Sequence, residues 1–328
     1  MRNLFISLSE TAELIESGLV LFISGSEASL GKLPKGRWIG GTTAYFMCDE
    51  GGVCRDDKLF CTVFDEAIDC RTAIIPADQI SRLTRERFAH GFACIVAPAF
   101  STTHQRYAVE GPGLPNLYTQ PVFGWVAGVH LDQVGKQTPK IFDGCSGKSE
   151  EDGLATLWIE LPKNLGADLD IVNLFTAGEG DEISFPTEGF VVDDCTINGQ
   201  TVNFSKYVTA RNLDQSLPLV ADYAGAMINV SVRKVDEESG KVSLYAPVVP
   251  GITYRMAKAA PNSAEAYSLA GKDGDPSQMM SCNCILNYLY SNLEGRSAGG
   301  FVGPVTFGEF AYILLNQTLS RLKIAPIH

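Results

Sequence analysis

The sequence lacks several features that would assign it to a common class of protein. No apolar run approaches the ~18 residues that a membrane-spanning helix needs, and the apolar stretch after Met1 is too short for a signal peptide. The nine cysteines include no Cys-x-x-Cys pair, so neither a zinc site nor a disulfide framework is predicted. We therefore expect a cytoplasmic protein with reduced thiols and no membrane insertion.

Clustered positive charge is also missing. Lysine and arginine total 26 against 38 aspartate and glutamate residues, which gives a formal net charge of −12. Such a chain would repel phosphate backbones, so nucleic acid is not an expected partner. A Gly-Lys-Ser/Thr phosphate-binding loop is absent as well, because Gly31-Lys32 is followed by Leu33.

The patterns that are present predict a folded α/β (mixed α+β) protein. Hydrophobic residues make up 45% and charged residues 20%, which is typical of globular proteins. Residues 7–10 form a capping-box pattern that predicts a short helix. Apolar runs at residues 19–23 and 92–97 predict strands buried on both faces. The stretch 98–121 is predicted to be a loop.

The second half of the chain begins with a hairpin signal. Asn198-Gly199 lies between two β-prone runs, and Asn-Gly is the strongest short signal for a tight hairpin turn. A family resemblance, carried by residues later in the chain, implies a helix after it, over 204–212. Pro186 and Gly189 punctuate the chain just before the hairpin, so we predict two interlocked domains, residues 1–188 and 189–328, with mixed β-sheets flanked by helices.

The stretch 281–318 is predicted to be a helix, a glycine-rich turn and an apolar end. Apolar residues recur at i, i+3, i+4 and i+7 over 286–293, which indicates one face of an amphipathic helix. Glycines at 299, 300 and 303 permit close backbone approach. Glu309 stands in an otherwise apolar end, so it must be paired, hydrogen-bonded or directed into a cavity.

This stretch resembles the C-terminal part of the FIST family of bacterial sensory domains. The matching residues are Cys282, Gly300, Phe301, Thr306, Phe307, Gly308, Glu309, Leu315, Asn316, Gln317 and Thr318. The family often has an Arg shortly after the Cys, where this chain has Asn283-Cys284-Ile285. A weaker match to the N-terminal half of the family lies at residues 37–46. The resemblance implies a FIST N-terminal-like domain over 1–188 and a C-terminal-like domain over 189–328.

The resemblance implies a stand-alone sensory protein that binds a small polar metabolite, for example an amino acid or a derivative. Because His328 is ten residues beyond Thr318, we expect the signalling output to be a separate partner protein. The glycines, hydroxyl and amide groups, aromatic rings and carboxylate of this stretch suit a mostly apolar pocket with a few polar groups. The predicted ligand-binding residues are Cys282, Asn283, Gly300, Phe301, Thr306, Phe307, Gly308, Glu309 and Asn316.

Other interpretations remain open from the sequence. Cys282 or Cys284 at a helix start would have a lowered pKa and could serve a cysteine-dependent enzyme centred on Cys282, with His90, His104 or His130 as the base. A buried, inert Cys282 is the alternative. No cofactor is predicted; haem, which some FIST proteins are thought to carry, would take His130 as its axial ligand. Glu309 could equally cap backbone N–H groups, and a scaffold that binds another protein is a third possibility.

Overall fold

The computed structural model describes residues 1–223, 225–258, 278–298 and 301–327. Within these ranges, three six-stranded sheets are built from both ends of the chain, and three smaller sheets are built from its middle. The predicted mixed α/β fold is confirmed. None of the helices within the described ranges has the length and hydrophobicity of a membrane span.

The three large sheets are given in their order of hydrogen-bonded neighbours. The first contains β1 (Arg2–Ile6), β6 (Leu59–Val63), β2 (Leu21–Gly25), β3 (Trp38–Thr42), β10 (Ile141–Asp143) and β11 (Lys148–Glu150). The second contains β26 (Ile313–Leu315), β25 (Glu309–Ala311), β9 (Val122–Ala127), β8 (Gly91–Pro98), β12 (Leu154–Glu160) and β7 (Asp69–Ile75). The third contains β13 (Leu165–Val172), β27 (Leu319–Pro326), β23 (Met279–Cys284), β24 (Gly303–Thr306), β4 (Tyr45–Cys48) and β5 (Gly51–Cys54).

The small sheets and the helices complete the described structure. The small sheets are β14 (Ile183–Ser184), β16 (Asp194–Ile197) and β17 (Gln200–Asn203); β15 (Gly189–Val192), β21 (Lys241–Val248) and β20 (Val232–Asp236); and β19 (Ala226–Val230), β18 (Leu219–Tyr223) and β22 (Arg255–Met256). The helices are α1 (Leu8–Glu16), α2 (Glu27–Leu30), α3 (Arg82–Arg85), α4 (Thr102–Glu110), α5 (Phe204–Ala210) and α6 (Ile285–Tyr290). Short 3-10 turns lie at Ala77–Gln79, Gly111–Gly113, Leu117–Thr119 and Leu131–Gln133.

Several local predictions are confirmed. The capping box opens α1, where the Ser7 side chain accepts from the Glu10 amide and the Glu10 carboxylate accepts from the Ser7 amide. The apolar runs at 19–23 and 92–97 fall on the buried strands β2 and β8. Asn198 and Gly199 have φ angles of +47° and +87° and connect β16 to β17, as a tight hairpin turn requires. The helix predicted over 204–212 is α5.

Two local predictions are wrong. The stretch predicted to be a loop contains α4, which begins where the Ser101 side chain accepts from the His104 amide. The helix buries Tyr107, whose hydroxyl donates to the Tyr312 carbonyl at 2.7 Å, so contacts with distant residues fix its position. The predicted apolar face of 286–293 is also only partly buried. Leu289 and Tyr290 are 39% and 47% exposed, and α6 ends at Tyr290, before Leu293.

The sheets do not separate at the predicted boundary near residue 188. β27 pairs with β13 along eight residues and with β23 on its other side. β25 pairs with β9 of the second sheet. The chain therefore returns after residue 278 to sheets begun before residue 172, and the segment between 183 and 256 forms the small sheets. The boundary itself stays a prediction.

The first and second large sheets pack face to face, and this packing positions the site. The rings of Phe22 and Trp125 lie 3.9 Å apart between the two sheets. A Cβ atom on Gly41 would lie 2.5 Å from Cγ1 of Val96, so only glycine permits this close approach. β2 runs parallel to β3, and β8 runs parallel to β9. The Gly128 amide after β9 donates to the Thr42 carbonyl at 2.8 Å, so the ends of β3 and β9 meet.

Candidate functional site

A cleft of about 890 Å³ lies where these strand ends meet. Its lining comes from residues 26–32 after β2, 42–44 after β3, 128–130 after β9, and 54–56 at the end of β5 and beyond. All three large sheets therefore contribute to it. Ligands of α/β proteins commonly bind outside the carboxyl ends of parallel strands, and the volume is typical of small-molecule sites.

One charged group of the lining is Glu27. Its carboxylate accepts from the Lys140 ammonium at 2.7 Å and from the Gln137 side-chain amide at 3.3 Å. The hydrogen bond from Lys140 holds the pKa of Glu27 below its usual value, and the same contact raises the pKa of Lys140. Lys140 also lies 3.5 Å from the Glu151 carboxylate. Glu27 is therefore ionised at neutral pH. Its charge is balanced by that of Lys140, which has Glu151 as a second acceptor.

A second charged group is Arg55. Its guanidinium donates two hydrogen bonds of 2.7 Å to the Asp57 carboxylate, which lowers the pKa of Asp57 to about 2. Lys32 and Asp56 also line the cleft. The lining thus has two acidic residues, Glu27 and Asp56, and two basic ones, whereas the whole chain carries a charge of −12. This local balance suits a ligand that carries both signs of charge or neither.

The hydroxyl groups of the cleft are held in place by backbone groups. Ser26 donates to the Asp56 carbonyl at 3.0 Å, and Thr43 donates to the Val305 carbonyl at 2.6 Å. The Thr42 hydroxyl accepts from the Lys140 amide at 3.0 Å. Groups fixed in this way lose little conformational freedom when a ligand binds.

His130 contributes a ring nitrogen to the lining. Its Nδ1 accepts from the Asp132 amide at 3.2 Å, so Nε2 is the protonated nitrogen of the neutral ring. The ring stacks on Tyr45 with 5.6 Å between centroids, and the Tyr45 hydroxyl accepts from the Leu131 amide at 3.1 Å. The cleft therefore has an oriented imidazole donor.

The structure brings the residues of the predicted site together, but it buries them behind the cleft. Cys282 and Asn283 lie in β23, Thr306 ends β24, and Glu309 begins β25. The residues that are 5% exposed or less are Cys282, Asn283, Phe301, Thr306, Glu309 and Asn316. Gly308 is buried and Phe307 half-buried, and Gly300 lies outside the described residues. None of the described members lines the cleft.

These residues nevertheless support the floor of the cleft. A Cβ on Gly128 would lie 2.3 Å from Cδ1 of Phe307, so the Phe307 ring lies directly against a lining residue. The Val126 amide donates to the Gly308 carbonyl at 2.8 Å. The segment predicted to hold a ligand therefore forms the layer beneath the candidate site.

Glu309 is hydrogen-bonded inside the protein. It is fully buried, and its Oε2 accepts from the Thr318 hydroxyl at 3.0 Å. Its Oε1 has no hydrogen-bond partner among the described residues. Burial raises the pKa of Glu309 well above its usual value, which favours the protonated carboxyl group. Burial likewise raises the pKa of the neighbouring Cys284 thiol.

The contacts of Cys282 do not favour a cysteine-dependent enzyme. It lies inside β23 and not at a helix start, and its thiol donates to the Gly124 carbonyl at 3.4 Å. Burial raises the pKa of Cys282 well above its usual value, so the reactive thiolate is disfavoured. The candidate bases His90 and His104 hydrogen-bond to backbone groups instead, the Leu165 carbonyl and the Phe100 amide. All nine cysteines lie in the described ranges and are free thiols.

The cleft residues were missed by sequence reasoning, although two signals pointed to them. Ser24-Gly25-Ser26 follows one buried apolar run, and Gly41-Thr42-Thr43 ends the next β-rich segment. Polar residues directly after buried strands commonly build sites in α/β proteins. The missing Gly-Lys-Ser/Thr motif argues against a phosphate-binding loop at the first signal, but not against another kind of ligand.

Fold and cleft together define a mixed α/β protein with a polar cleft at the carboxyl ends of parallel strands. The chain belongs to a family described as a family of unknown function (DUF6976), whose model matches residues 6–325. No curated protein matches the chain, and no solved structure matches it. The resemblance to FIST proteins stays a hypothesis.

Proposed function

We propose that this protein binds a small polar molecule in the cleft and acts as a sensory protein that signals to a separate partner. The observation that carries the proposal is the cleft of about 890 Å³, lined by charged and hydroxyl groups from all three large sheets. The sensory role comes from the resemblance to FIST proteins, and the cleft supports only the binding step.

The charges favour a ligand with a cationic and an anionic group, such as an amino acid or a derivative. Arg55 donates from Nε and Nη2 to Asp57, and its Nη1 is the donor that a ligand carboxylate would use in a charge-assisted hydrogen bond. Glu27 presents an ionised carboxylate that accepts from ammonium groups. The hydroxyls of Ser26 and Thr42 add hydrogen-bonding groups at fixed positions.

The proposal is tested by thermal shift against a panel of amino acids and their derivatives, followed by calorimetry on any stabilising compound. Arg55→Gln is expected to weaken binding of a carboxylate ligand about ten- to hundred-fold, because a charge-assisted hydrogen bond is lost. Arg2→Gln is the matched control, since Arg2 forms a comparably exposed ion pair with Asp65 away from the cleft.

Two results would contradict the proposal. One is a panel in which no compound binds. The other is a ligand whose affinity is unchanged in folded Arg55→Gln, which would place its binding site elsewhere. Glu309→Gln discriminates between the cleft and the buried stretch 281–318. A large loss of affinity in that variant would favour the buried stretch as the binding site.

A further inference from the structure

One wall of the cleft is the connection between β9 and β10, residues 129–139, which we name the strap. Both of its ends are fixed on a single residue, Thr42. The Gly128 amide donates to the Thr42 carbonyl at 2.8 Å, and the Thr42 amide donates to the Lys140 carbonyl at 3.0 Å. The Lys140 amide donates to the Thr42 hydroxyl at 3.0 Å. The strap is therefore a compact loop with adjacent ends.

Leu131 in the first part of the strap donates from its amide to the Tyr45 hydroxyl at 3.1 Å, and beyond Leu131 the strap is bonded mainly to itself. The Gln133 amide donates to the His130 carbonyl at 2.8 Å, and the Gln137 amide donates to the Gln133 carbonyl at 2.9 Å. The Lys136 ammonium donates to the Asp132 carbonyl at 3.1 Å. Residues 132–138 are all exposed, so hydrophobic burial does not hold this part of the loop against the body.

The contact that ties the strap across the cleft is Glu27 on α2. Its carboxylate accepts from Gln137 in the strap and from Lys140 at the base of the strap. Lys140 has Glu151 as a second acceptor at 3.5 Å, so breaking its bond to Glu27 does not leave the ammonium without a carboxylate. Glu27 can therefore release the strap at little electrostatic cost.

We propose that the exposed part of the strap, residues 132–138, is a movable wall of the cleft, held closed by Glu27. Opening breaks the bond from Gln137 to Glu27 and carries Gln137 away from the cleft, while His130 stays stacked on Tyr45. A ligand cation that reaches Glu27 competes with Lys140 for the same carboxylate. Entry of the ligand is thereby coupled to release of the strap. This inference rests on the proposed function of the cleft, but the movement can be measured without a ligand.

The test is native-state hydrogen exchange by mass spectrometry on the protein alone. Glu27→Gln is expected to increase the exchange rate of the peptide covering 129–139 about two- to five-fold, the effect of losing a partly exposed ion pair. Glu13→Gln, at an exposed position of α1, is the matched control and leaves that peptide unchanged. The peptide covering β9 reports that the variant is folded, because its rate stays at the wild-type value.

Salt gives an independent measurement on the unmodified protein. Raising the ionic strength to about 1 M reduces the screening length to about 3 Å, so exchange in the strap peptide of the wild type moves towards that of Glu27→Gln. Unchanged exchange of the strap peptide in Glu27→Gln overturns the proposal. If the exchange of the strap peptide increases but no compound of the panel binds, the movable strap is supported and the proposed function fails. If a compound binds in the cleft while the exchange of the strap peptide is unaltered, the proposed function is supported and the movable strap is refuted.

Discussion

Replacing Glu309 with Gln is expected to change how the stability of this protein depends on pH. Glu309 is fully buried and accepts one hydrogen bond, from Thr318. Burial raises its pKa well above the usual value, so the folded protein keeps the proton after the unfolded chain has lost it. A group with a raised pKa in the folded state contributes stability that is present below its unfolded pKa and lost as the pH rises.

The size of the effect follows from the number of protons exchanged. The unfolded glutamate loses its proton near pH 4.3, and each further pH unit costs about 1.4 kcal/mol while the folded protein retains that proton. The cost accumulates up to the folded-state pKa, so between pH 5 and 7.5 it reaches at most roughly 3 kcal/mol. The amide introduced by Glu309→Gln is neutral at every pH and has nearly the same shape as the carboxyl group, so the variant lacks this pH-dependent loss.

The assay is urea unfolding at pH 5, 6.25 and 7.5 of the wild type, Glu309→Gln and the exposed control Glu13→Gln. The free energy of unfolding of Glu309→Gln, minus that of the wild type, should rise across this range, by at most roughly 3 kcal/mol. A constant offset from the altered bond to Thr318 does not affect the slope. If the free energies of unfolding of Glu309→Gln and the wild type change in parallel with pH, Glu309 is ionised in the folded protein and the reasoning is refuted.

Two further predictions concern buried titratable groups. Burial lowers the pKa of His104 to about 4, so stability should fall by up to about 3 kcal/mol as the pH drops from about 6.5 to about 4. Unfolding of His104→Gln in the same range should lack this loss, and an identical slope would contradict it. When the native protein is alkylated, the exposed Cys54 and Cys145 should react first, and Cys94 and Cys282 only after unfolding. The intact mass after denaturation should show nine modified thiols. Early modification of Cys282 would contradict its burial.

Features that depend on neighbouring residues could be predicted from the sequence. The capping box at Ser7 and the turn at Asn198-Gly199 are decided by a few adjacent side chains and by local φ angles. Buried strands were recognisable from continuous apolar runs. The helix α4 was missed because its burial depends on contacts with residues such as Tyr312, about two hundred positions away.

The site could not be predicted because it depends on which strand ends meet. The bond from Thr43 to Val305 joins residues 262 positions apart, and no local pattern encodes that pairing. Glycines and polar residues in an apolar context fit a ligand site and a buried polar cluster equally well. For Glu309 a ligand contact and the capping of backbone N–H groups were both open, and the structure instead gives its carboxyl group a hydrogen bond from the Thr318 side chain.

The position of β27 between β13 and β23 has a consequence for synthesis of the chain on the ribosome. β13 cannot gain its neighbour until residues 319–326 have left the exit tunnel. At roughly 5–20 residues per second, β13 stays without this partner for about ten to thirty seconds after it is made. An eight-residue strand with a free edge can pair with other chains. The exposed charges of Asp168 and Asp170 on β13 oppose such pairing while the strand waits for β27.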